Sequence, residues 1–302
     1  MPPGRYLLTG ASGFVGRYVA EALLARGHRV TGLDLAPPAS FPEGGEPFVA
    51  DLRDPEALQD LPRSWDGVLH LAGATIPSAF SSWEPVLLNL RITLNLLDHL
   101  EDSRVLLVSS CHVYGGSDRP LEEDDPVRPQ GRYGLSKHLV EQVAPRYEER
   151  LDLRVARPFN HLGPGLRPEL MVPSLLRRLV DGRDASLPVR MEGLNSVRDF
   201  IDVRDVARAY LAILDLEDAP NPTFNVCTGQ GRSVASLAEA ALGLLGERRQ
   251  VLFAGRPNSS DDIPVLVGNP ARLAGATGWH PEHTLNDSLE AMLQALPPGG
   301  HP

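Results

Sequence analysis

Three evenly spaced glycines constrain the fold of this chain more than any other feature. The apolar run at 6–8 stops at the sequence TGASGFVG (residues 9–16), where Gly10, Gly13 and Gly16 are three residues apart. An amphipathic stretch follows at 17–26, and a glycine is typical of the end of such a helix. A strand that turns through glycines into a helix lets the backbone approach a pyrophosphate at the helix N-terminus. The alternative is a loop that only caps the helix.

The acidic residue that ends the next predicted strand indicates which dinucleotide such a loop would hold. Asp34 closes the strand at 29–34, about 20 residues beyond the glycines, as in dinucleotide-binding folds. A carboxylate there accepts hydrogen bonds from the adenosine ribose hydroxyls and repels a 2′-phosphate. We therefore expect NAD(H) to be favoured as cofactor, with NADP(H) left open.

Short apolar runs continue to alternate with helical patterns through the first half of the chain. Further strands are predicted at 47–50, 67–71, 105–109 and 153–156, and the long helical patterns lie at 84–100 and 134–150. Continuous apolar strands between helices indicate a parallel sheet covered on both faces. The sequence thus predicts an α/β fold with a doubly wound parallel sheet of the Rossmann type.

After residue 157 the regular alternation of strand and helix patterns changes, which predicts a second, smaller α/β domain interleaved with the first. Residues 160–169 are rich in glycine and proline, and helical patterns later alternate with only short strands. The prediction places 1–157 and about 197–232 in a dinucleotide-binding domain. It places about 158–196 and 233–296 in a substrate domain, with 297–302 as a frayed tail.

Composition excludes several classes of protein. The formal charge is −10 with no basic run, which argues against nucleic acid as a partner. Cys111 and Cys227 have no metal-ligand spacing, so no metal site is predicted. No apolar run approaches the roughly 18 residues of a membrane helix, and the first residues do not resemble a signal peptide, so a cytoplasmic location is expected.

A tyrosine and the only lysine of the chain form the second informative motif. Among 29 basic side chains, Lys137 alone is not an arginine, and Tyr133 precedes it by one helical turn in YGLSK. A free phenol has a pKa of about 10, and a neighbouring ammonium lowers it. The pair therefore predicts proton exchange between Tyr133 and a carbonyl or alcohol, with Lys137 also suited to bind ribose. An incidental pair on a solvated helix is the alternative.

Ser110 follows the predicted strand at 105–109. The carboxyl ends of strands in doubly wound sheets face the ligand crevice, so we expect its hydroxyl to orient a substrate carbonyl. The alternative is a capping serine. The predicted catalytic residues are thus Ser110, Tyr133 and Lys137.

Together these motifs resemble the extended short-chain dehydrogenase/reductase superfamily, also called the NAD-dependent epimerase/dehydratase family, from about Tyr6 to Leu296. The resemblance implies that a further set of positions binds the cofactor, with Asp51-Leu52 beside adenine and Asn89 near the lysine. The cofactor-binding residues it implies are Gly10, Ser12, Gly13, Phe14, Val15, Gly16, Asp34, Asp51, Leu52, Leu71, Ala72, Gly73, Asn89, Ser109, Tyr133, Lys137 and Pro158.

Within that family, the stretches 157–165, 196–210 and 256–279 resemble the GDP-4-keto-6-deoxy-D-mannose reductases. This implies a nucleotide-diphosphate sugar as substrate, its diphosphate held by two arginine forks. The implied substrate-binding residues are Thr75, Ser110, His112, Asn160, Val172, Arg198 and Arg256.

The resemblance leaves more than one function open. The leading hypothesis is NAD(P)H-dependent reduction of a 4-keto-6-deoxy sugar nucleotide, with hydride reaching C4 and Tyr133 giving the proton. The alternative is a UDP-sugar 4-epimerase that retains its NAD. A non-catalytic dinucleotide sensor is a third class, against which the intact Tyr133 and Lys137 argue. Sugar-nucleotide dehydratases carry an Asp-Glu pair where this chain has Cys111 and His112, so we do not expect a dehydratase.

The segment 83–100 carries apolar residues nearly all round, which predicts a helix buried on every side. The resemblance implies that it pairs with the helix at 134–150 across the two-fold axis of a homodimer. Burial in the core of its own chain is the alternative.

Overall fold

In a computed structural model, the described residues are 3–36, 41–75, 77–181, 189–192, 196–219, 222–247, 251–254 and 263–296. Arg256 and the predicted tail at 297–302 lie outside them. The helices are α1 Phe14–Ala25, α2 Glu84–His99, α3 Gly131–Val143, α4 Met171–Asp181, α5 Val203–Asp215, α6 Val234–Leu244, α7 Ala271–Thr277 and α8 Leu285–Gln294. The strands are β1 Arg5–Thr9, β2 Arg29–Asp34, β3 Glu46–Val49, β4 Gly67–His70, β5 Ser103–Val108, β6 Leu151–Pro158, β7 Asn160–Leu162, β8 Val189–Glu192, β9 Val197–Asp202, β10 Thr223–Val226, β11 Gly231–Ser233, β12 Val251–Ala254 and β13 Val265–Leu266.

The main sheet contains seven parallel strands within the described ranges, in the order β10-β6-β5-β4-β1-β2-β3. Strand β1 pairs with both β2 and β4, so the direction in which strands are added reverses between β1 and β4. Ligands of doubly wound sheets bind beyond the carboxyl ends of the strands at such a switch point. The predicted doubly wound α/β fold is confirmed.

Both faces of this sheet are covered, because its strands carry apolar side chains at consecutive positions. Leu7 and Leu8 are both fully buried, and they belong to the cores on opposite faces. Helices α1 and α5 pack together on one face, and α2 and α3 pack together on the other. The two layers hold the strand ends, and hence the residues that follow them, in fixed positions.

A smaller set of strands follows the main sheet in sequence. Strand β9 lies between β11 and β13 and also pairs with β7, while β8 pairs with β12. Helices α4, α6 and α8 share a separate apolar core. Helix α5 packs on the main sheet and β10 joins its edge, whereas β9 belongs to the smaller sheet. The residue boundaries of the two domains stay a prediction.

Two predicted helices differ from the structure. The helix predicted at 134–150 begins at Gly131 and ends at Val143, and a 3-10 turn follows over Ala144–Tyr147. Pro145 lies in that turn and has no N–H to continue a helical ladder.

Helix α2 is not buried on every side, so that prediction is wrong for the single chain. Its inner face is buried, with Leu96 and Leu97 fully covered. On the outer face, Leu87 is 62% exposed, and Trp83, just before the helix, is 55% exposed. The helix packs against the sheet on one side only, and its outer apolar side chains have no covering layer within the described part of the chain.

Two kinds of feature are absent from the described residues. None of the helices in that part of the chain has the length and apolar character needed to cross a membrane. The same residues contain no cluster of histidine, cysteine or acidic side chains arranged to hold a metal ion.

Candidate active site

The glycine loop lies at the switch point and forms a cradle that side chains would fill. Gly10 has a φ of +70°, and a Cβ there would come within 2.8 Å of the backbone nitrogen of Ala72. A Cβ on Gly16 would approach the carbonyl oxygen of Gly10 to 2.5 Å. Glycine is therefore required at both positions, and Gly13 caps α1 with no side-chain hydrogen bond at the helix start. This bare helix N-terminus fits the pyrophosphate of a dinucleotide.

Asp34 ends β2 directly beside the glycine loop. Its carboxylate accepts hydrogen bonds from the backbone N–H groups of Ser12 and Leu35, each at 2.8 Å. These bonds fix the carboxylate beside the loop while leaving it partly exposed. Asp51, two residues after β3, is instead held by its neighbour Arg53 through a 2.6 Å ion pair.

Ser110, His112 and Tyr133 meet beyond the end of β5. The Ser110 side chain accepts a hydrogen bond from the backbone N–H of His112, and its hydroxyl lies 3.2 Å from His112 Nδ1. The rings of His112 and Tyr133 meet edge to face at 5.5 Å, and the Phe80 ring also meets the Tyr133 ring edge to face, at 5.4 Å. These contacts fix the plane of the Tyr133 ring.

The pKa of Tyr133 shifts in the opposite direction from the one that the sequence predicts. Burial raises the pKa of Tyr133 to about 12, and the hydrogen bond with Ser110 only partly opposes this. Lys137 is not among the main causes of the shift, and the prediction of a lowered pKa for Tyr133 is wrong for this structure. Burial likewise raises the pKa of Cys111 to about 12 and lowers that of His112 to about 4. At neutral pH Tyr133 holds its proton, and His112 is neutral.

Lys137 lies below Tyr133 on the inner face of α3. It is only 5% exposed, and its ammonium donates a 2.9 Å hydrogen bond to the carbonyl oxygen of Val108 at the end of β5. Burial lowers the pKa of Lys137 to about 8, and the nearby charge of Glu141 opposes the shift. The side chain therefore ties the catalytic helix to the strand that precedes Ser110.

A chain of buried polar groups runs from β1 to α2 across β4. Thr93 Oγ1 donates to the Asn89 carbonyl, so it accepts from Nε2–H of His70 at 3.0 Å. On the other side, His70 Nδ1 accepts from the Thr9 hydroxyl at 2.8 Å. Because burial lowers the pKa of His70 to about 3, its ring stays neutral beneath the site.

Asn89 connects the turn after β4 with the catalytic helix. Its Oδ1 accepts from the backbone N–H of Ala74 at 2.7 Å, and its Nδ2 donates to Ala74 O and to the Ser136 hydroxyl. Ser136 in turn donates to the carbonyl of Tyr133. Leu71, Ala72 and Gly73 belong to this turn, so the structure brings them to the glycine loop. The family resemblance identified Asn89 as a residue near the lysine. Nothing in the spacing of the sequence indicated its hydrogen-bond partners, Ala74 and Ser136.

The residues expected to bind substrate occupy different environments. Asn160 begins β7, and its buried Oδ1 has no hydrogen-bond partner within the described residues. Arg198 lies near enough to lower the pKa of His112 by its charge, and its guanidinium donates to the carbonyl of Val197. Thr75 is exposed, whereas the side chain of Val172, on α4, is buried in the core that α4 shares with α6 and α8. These roles, and that of Pro158 at the end of β6, stay predictions.

Comparison with known proteins defines the class to which this fold and site belong. A sequence model of the NAD dependent epimerase/dehydratase family matches residues 6–227. The chain therefore belongs to that family, which confirms the resemblance stated from its motifs.

Particular relatives are similar over nearly the whole chain. The GDP-6-deoxy-D-mannose reductase of Pseudomonas aeruginosa is 34% identical, covering 96% of this chain and 96% of the relative. The solved structure of RMD from Pseudomonas aeruginosa complexed with NADPH matches with a TM-score of 0.81 at 32% identity, covering 97% and 98% of the two chains. The UDP-glucose 4-epimerase of Thermus thermophilus, solved in complex with NAD, matches with a TM-score of 0.80 at 27% identity, covering 96% and 98%.

Proposed function

We propose that this chain is an NAD(P)H-dependent reductase of a 4-keto-6-deoxy sugar nucleotide, of the GDP-4-keto-6-deoxy-D-mannose type. The observation that carries the proposal is that the Tyr133 phenol lies beside the Ser110 hydroxyl at the switch point, with Lys137 buried one helical turn further along α3. Reduction of a ketone needs a proton donor, and a phenol beside a second hydroxyl can supply that proton to a carbonyl oxygen. The full-length similarity to the Pseudomonas aeruginosa reductase supports the same reaction.

Each residue of the site has a separate task in this reaction. A bound nicotinamide cofactor supplies the hydride. Ser110 orients the sugar carbonyl by donating its hydroxyl proton to the carbonyl oxygen, and Tyr133 gives its phenolic proton to that oxygen as the alcohol forms. Lys137 holds α3 against the end of β5, which keeps the Tyr133 and Ser110 hydroxyls at one position.

The test is NADH or NADPH oxidation by the purified chain with two substrates in parallel. One is GDP-4-keto-6-deoxymannose, and the other is the corresponding keto sugar derived from dTDP-glucose. Stoichiometric oxidation with the GDP sugar supports both the reaction and the substrate. Oxidation only with the dTDP sugar would retain the reaction but change the nucleotide.

A 4-epimerase is the second candidate, because similarity to a UDP-glucose 4-epimerase also extends over nearly the whole chain. An epimerase uses its cofactor twice in each turnover and consumes none. Absence of net oxidation with either keto sugar, together with NAD released when the protein is denatured, would contradict the reductase and favour this alternative.

We further propose that Asp34 makes NADH the preferred cofactor. Asp34→Ala is expected to lower the ratio of kcat/KM for NADH over NADPH by about tenfold, the effect of losing roughly 1.5 kcal/mol of charge-assisted hydrogen bonding. Asp34→Asn is the matched variant, because its amide oxygen still accepts from Ser12 N–H while the charge is gone. Steady-state kinetics with both cofactors measures the ratio. An equal ratio in the wild type, Asp34→Ala and Asp34→Asn would show that residues other than Asp34 determine the choice between NADH and NADPH.

We propose that the nucleotide sugar lies between Ser110 and β7. The unpartnered Oδ1 of Asn160 is suited to accept a hydrogen bond from a sugar hydroxyl, because a buried acceptor left unpaired is costly. Arg198 is suited to the diphosphate, as a guanidinium fork matches phosphate oxygens. The neutral ring of His112 contacts the Tyr133 ring and lies near the charge of Arg198, so it is suited to face the sugar.

We also propose a homodimer formed through the outer faces of α2 and α3. Leu87 is largely exposed on α2, and Leu135 and Leu139 are half-buried on the neighbouring helix. Leu87→Glu is expected to yield monomers, because it places a charge in the proposed interface without touching the core. Light scattering after size exclusion measures the mass. Leu244→Glu on α6 is the control, with a side chain 38% exposed away from this face. An unchanged mass for Leu87→Glu would contradict the proposed interface.

A further inference from the structure

A buried carboxylate lies one helical turn beyond Lys137 and has no part in the proton transfer described above. Glu141 is 9% exposed on the inner face of α3. Its two oxygens accept from Arg157 in a paired arrangement, Nε to Oε1 at 2.9 Å and Nη2 to Oε2 at 2.7 Å. Oε1 also accepts a 2.5 Å hydrogen bond from the hydroxyl of Ser109. A buried charge needs such partners to offset the loss of hydration.

Arg157 is itself fixed by groups from outside α3. Its Nη1 donates to the Tyr114 hydroxyl at 2.8 Å and to the Glu123 carbonyl at 3.1 Å. Tyr114 then donates to Asn225 on β10. Burial alone would lower the pKa of Arg157, but the hydrogen bonds and charge of Glu141 outweigh it and raise the pKa above its usual value. The guanidinium therefore stays charged and anchors Glu141 to the edge strands of the main sheet.

Two contacts, one helical turn apart, join α3 to the end of β5. Lys137 donates to the carbonyl of Val108, and Glu141 accepts from the side chain of the next residue, Ser109. The residue after that is Ser110, whose hydroxyl must meet the same substrate oxygen as Tyr133. Contacts at two successive strand residues fix both the rotation and the axial position of α3.

We infer that Glu141 is a positioning residue of this active site: anchored by Arg157, it holds the end of β5 against α3 through Ser109 and places its negative charge one helical turn from the ammonium of Lys137. The expected effect of Glu141 on kcat rests on the proposed function. Its expected effect on the titration of Lys137 does not. Its removal changes the charge of a buried amine that titrates near neutral pH, whatever reaction the site performs.

The charged and titratable groups around Lys137 make that change measurable. From α3 come Tyr133 and Glu141, from β4 comes His70, and from β6 comes Arg157 behind the carboxylate. The phenol has a pKa of about 12 and the imidazole a pKa of about 3, so neither changes charge between pH 6 and 10. Within the described site, a titration with a midpoint near 8 therefore reports Lys137.

The chain contains one lysine, so lysine labelled with ¹³C at Cε gives a single side-chain resonance. We expect its chemical shift in the free wild-type chain to titrate with a midpoint of about 8. In Glu141→Gln the midpoint is expected to fall by about one pH unit or more, because an opposite charge is lost and the Arg157 charge is no longer offset. In Glu141→Gln the amide oxygen can still accept from the Ser109 hydroxyl and from Arg157 Nε, whereas the amide N–H groups face Nη2 of Arg157, so one of the three hydrogen bonds is lost.

Three comparisons complete the test. Ser109→Ala keeps the carboxylate and is expected to leave the midpoint unchanged. Asp205→Asn removes another buried carboxylate, paired with Arg208 on α5, and is expected to lower the melting temperature without moving the midpoint. If Glu141→Gln alone does not fold, the double variant Glu141→Gln with Arg157→Gln removes both buried charges, and the midpoint is again expected to fall. A midpoint equal to that of the wild type in the folded variant would overturn the inference.

Kinetics provide the second measurement. Glu141→Gln is expected to lower kcat by about tenfold, with KM for the sugar nucleotide changed far less, since the lost interaction acts on the transferring groups. The alkaline limb of its pH profile is expected to move to lower pH, because the ammonium is lost earlier as pH rises. A change in KM as large as the fall in kcat, together with an alkaline limb at the wild-type pH, would contradict the positioning role. If the wild type reduces neither keto sugar, the proposed function fails, and the resonance of Lys137 still decides the role of Glu141.

Discussion

Replacing Tyr133 by phenylalanine is expected to lower kcat by about 10²- to 10⁴-fold, the usual contribution of a positioned acid. The phenol is the group that holds a transferable proton at this position. Cys111 is 1% exposed within an apolar cluster, and His112, with a pKa of about 4, has already lost its acidic proton at neutral pH. The aromatic ring itself is held by Phe80 and His112, so phenylalanine fits the same space. Single-turnover oxidation of NADH measures the loss.

Cofactor affinity separates this effect from damage to the site. NADH binding, followed by quenching of its fluorescence, is expected to stay within about threefold of the wild type, because the lost hydroxyl is worth roughly one hydrogen bond at most to the cofactor. Tyr147→Phe is the matched control, since its hydroxyl bonds to Asp98 away from the site. A fully active Tyr133→Phe enzyme would rule out the phenol as proton donor.

The second large effect is expected at Lys137, where arginine should not replace lysine. The pocket leaves only 5% of the side chain exposed, and its ammonium donates to the Val108 carbonyl. A planar guanidinium is larger and cannot lose its proton, so Lys137→Arg is expected to displace α3 from β5. We expect kcat to fall by about 10²-fold or more, comparable to the loss of an acid–base group.

Lys137→Met separates charge from shape, since it keeps an unbranched chain of similar length without the ammonium. Both variants are expected to lose activity, but the methionine variant should melt at or above the wild-type temperature because it removes a buried charge. Calorimetry and NADH oxidation measure the two properties. Activity within about threefold of the wild type in the arginine variant would show that only a positive charge is needed there.

The main sheet and the glycine loop could be predicted because their signals are local. Apolar runs such as Tyr6-Leu7-Leu8, the spacing of Gly10 and Gly16, and Asp34 at a strand end all follow from short-range backbone requirements. The pairing of Tyr133 with Lys137 is likewise a helical spacing. The structure and the family comparison confirm the fold and the family on these grounds.

Long-range packing decides what the sequence did not show. The partners of Glu141 come from β5 and β6, so nothing in its own helix indicates an ion pair with Arg157. The raised pKa of Tyr133 comes mainly from its burial by surrounding elements, which the helical spacing of Tyr133 and Lys137 does not reveal. The prediction that α2 is buried on every side fails for the single chain at Leu87, because an apolar pattern does not say which chain covers it.

The order of strands in the main sheet has a consequence for synthesis on the ribosome. Strand β6 ends at Pro158, but its neighbour β10 begins only at Thr223. At roughly 5–20 residues per second, the roughly 65 residues between them take about 3–13 s to emerge. During that time the edge of β6 that β10 later covers has no partner. Exposed strand edges promote association between chains. Nascent chains that stall before residue 223 are therefore the species that chaperones must protect from aggregation.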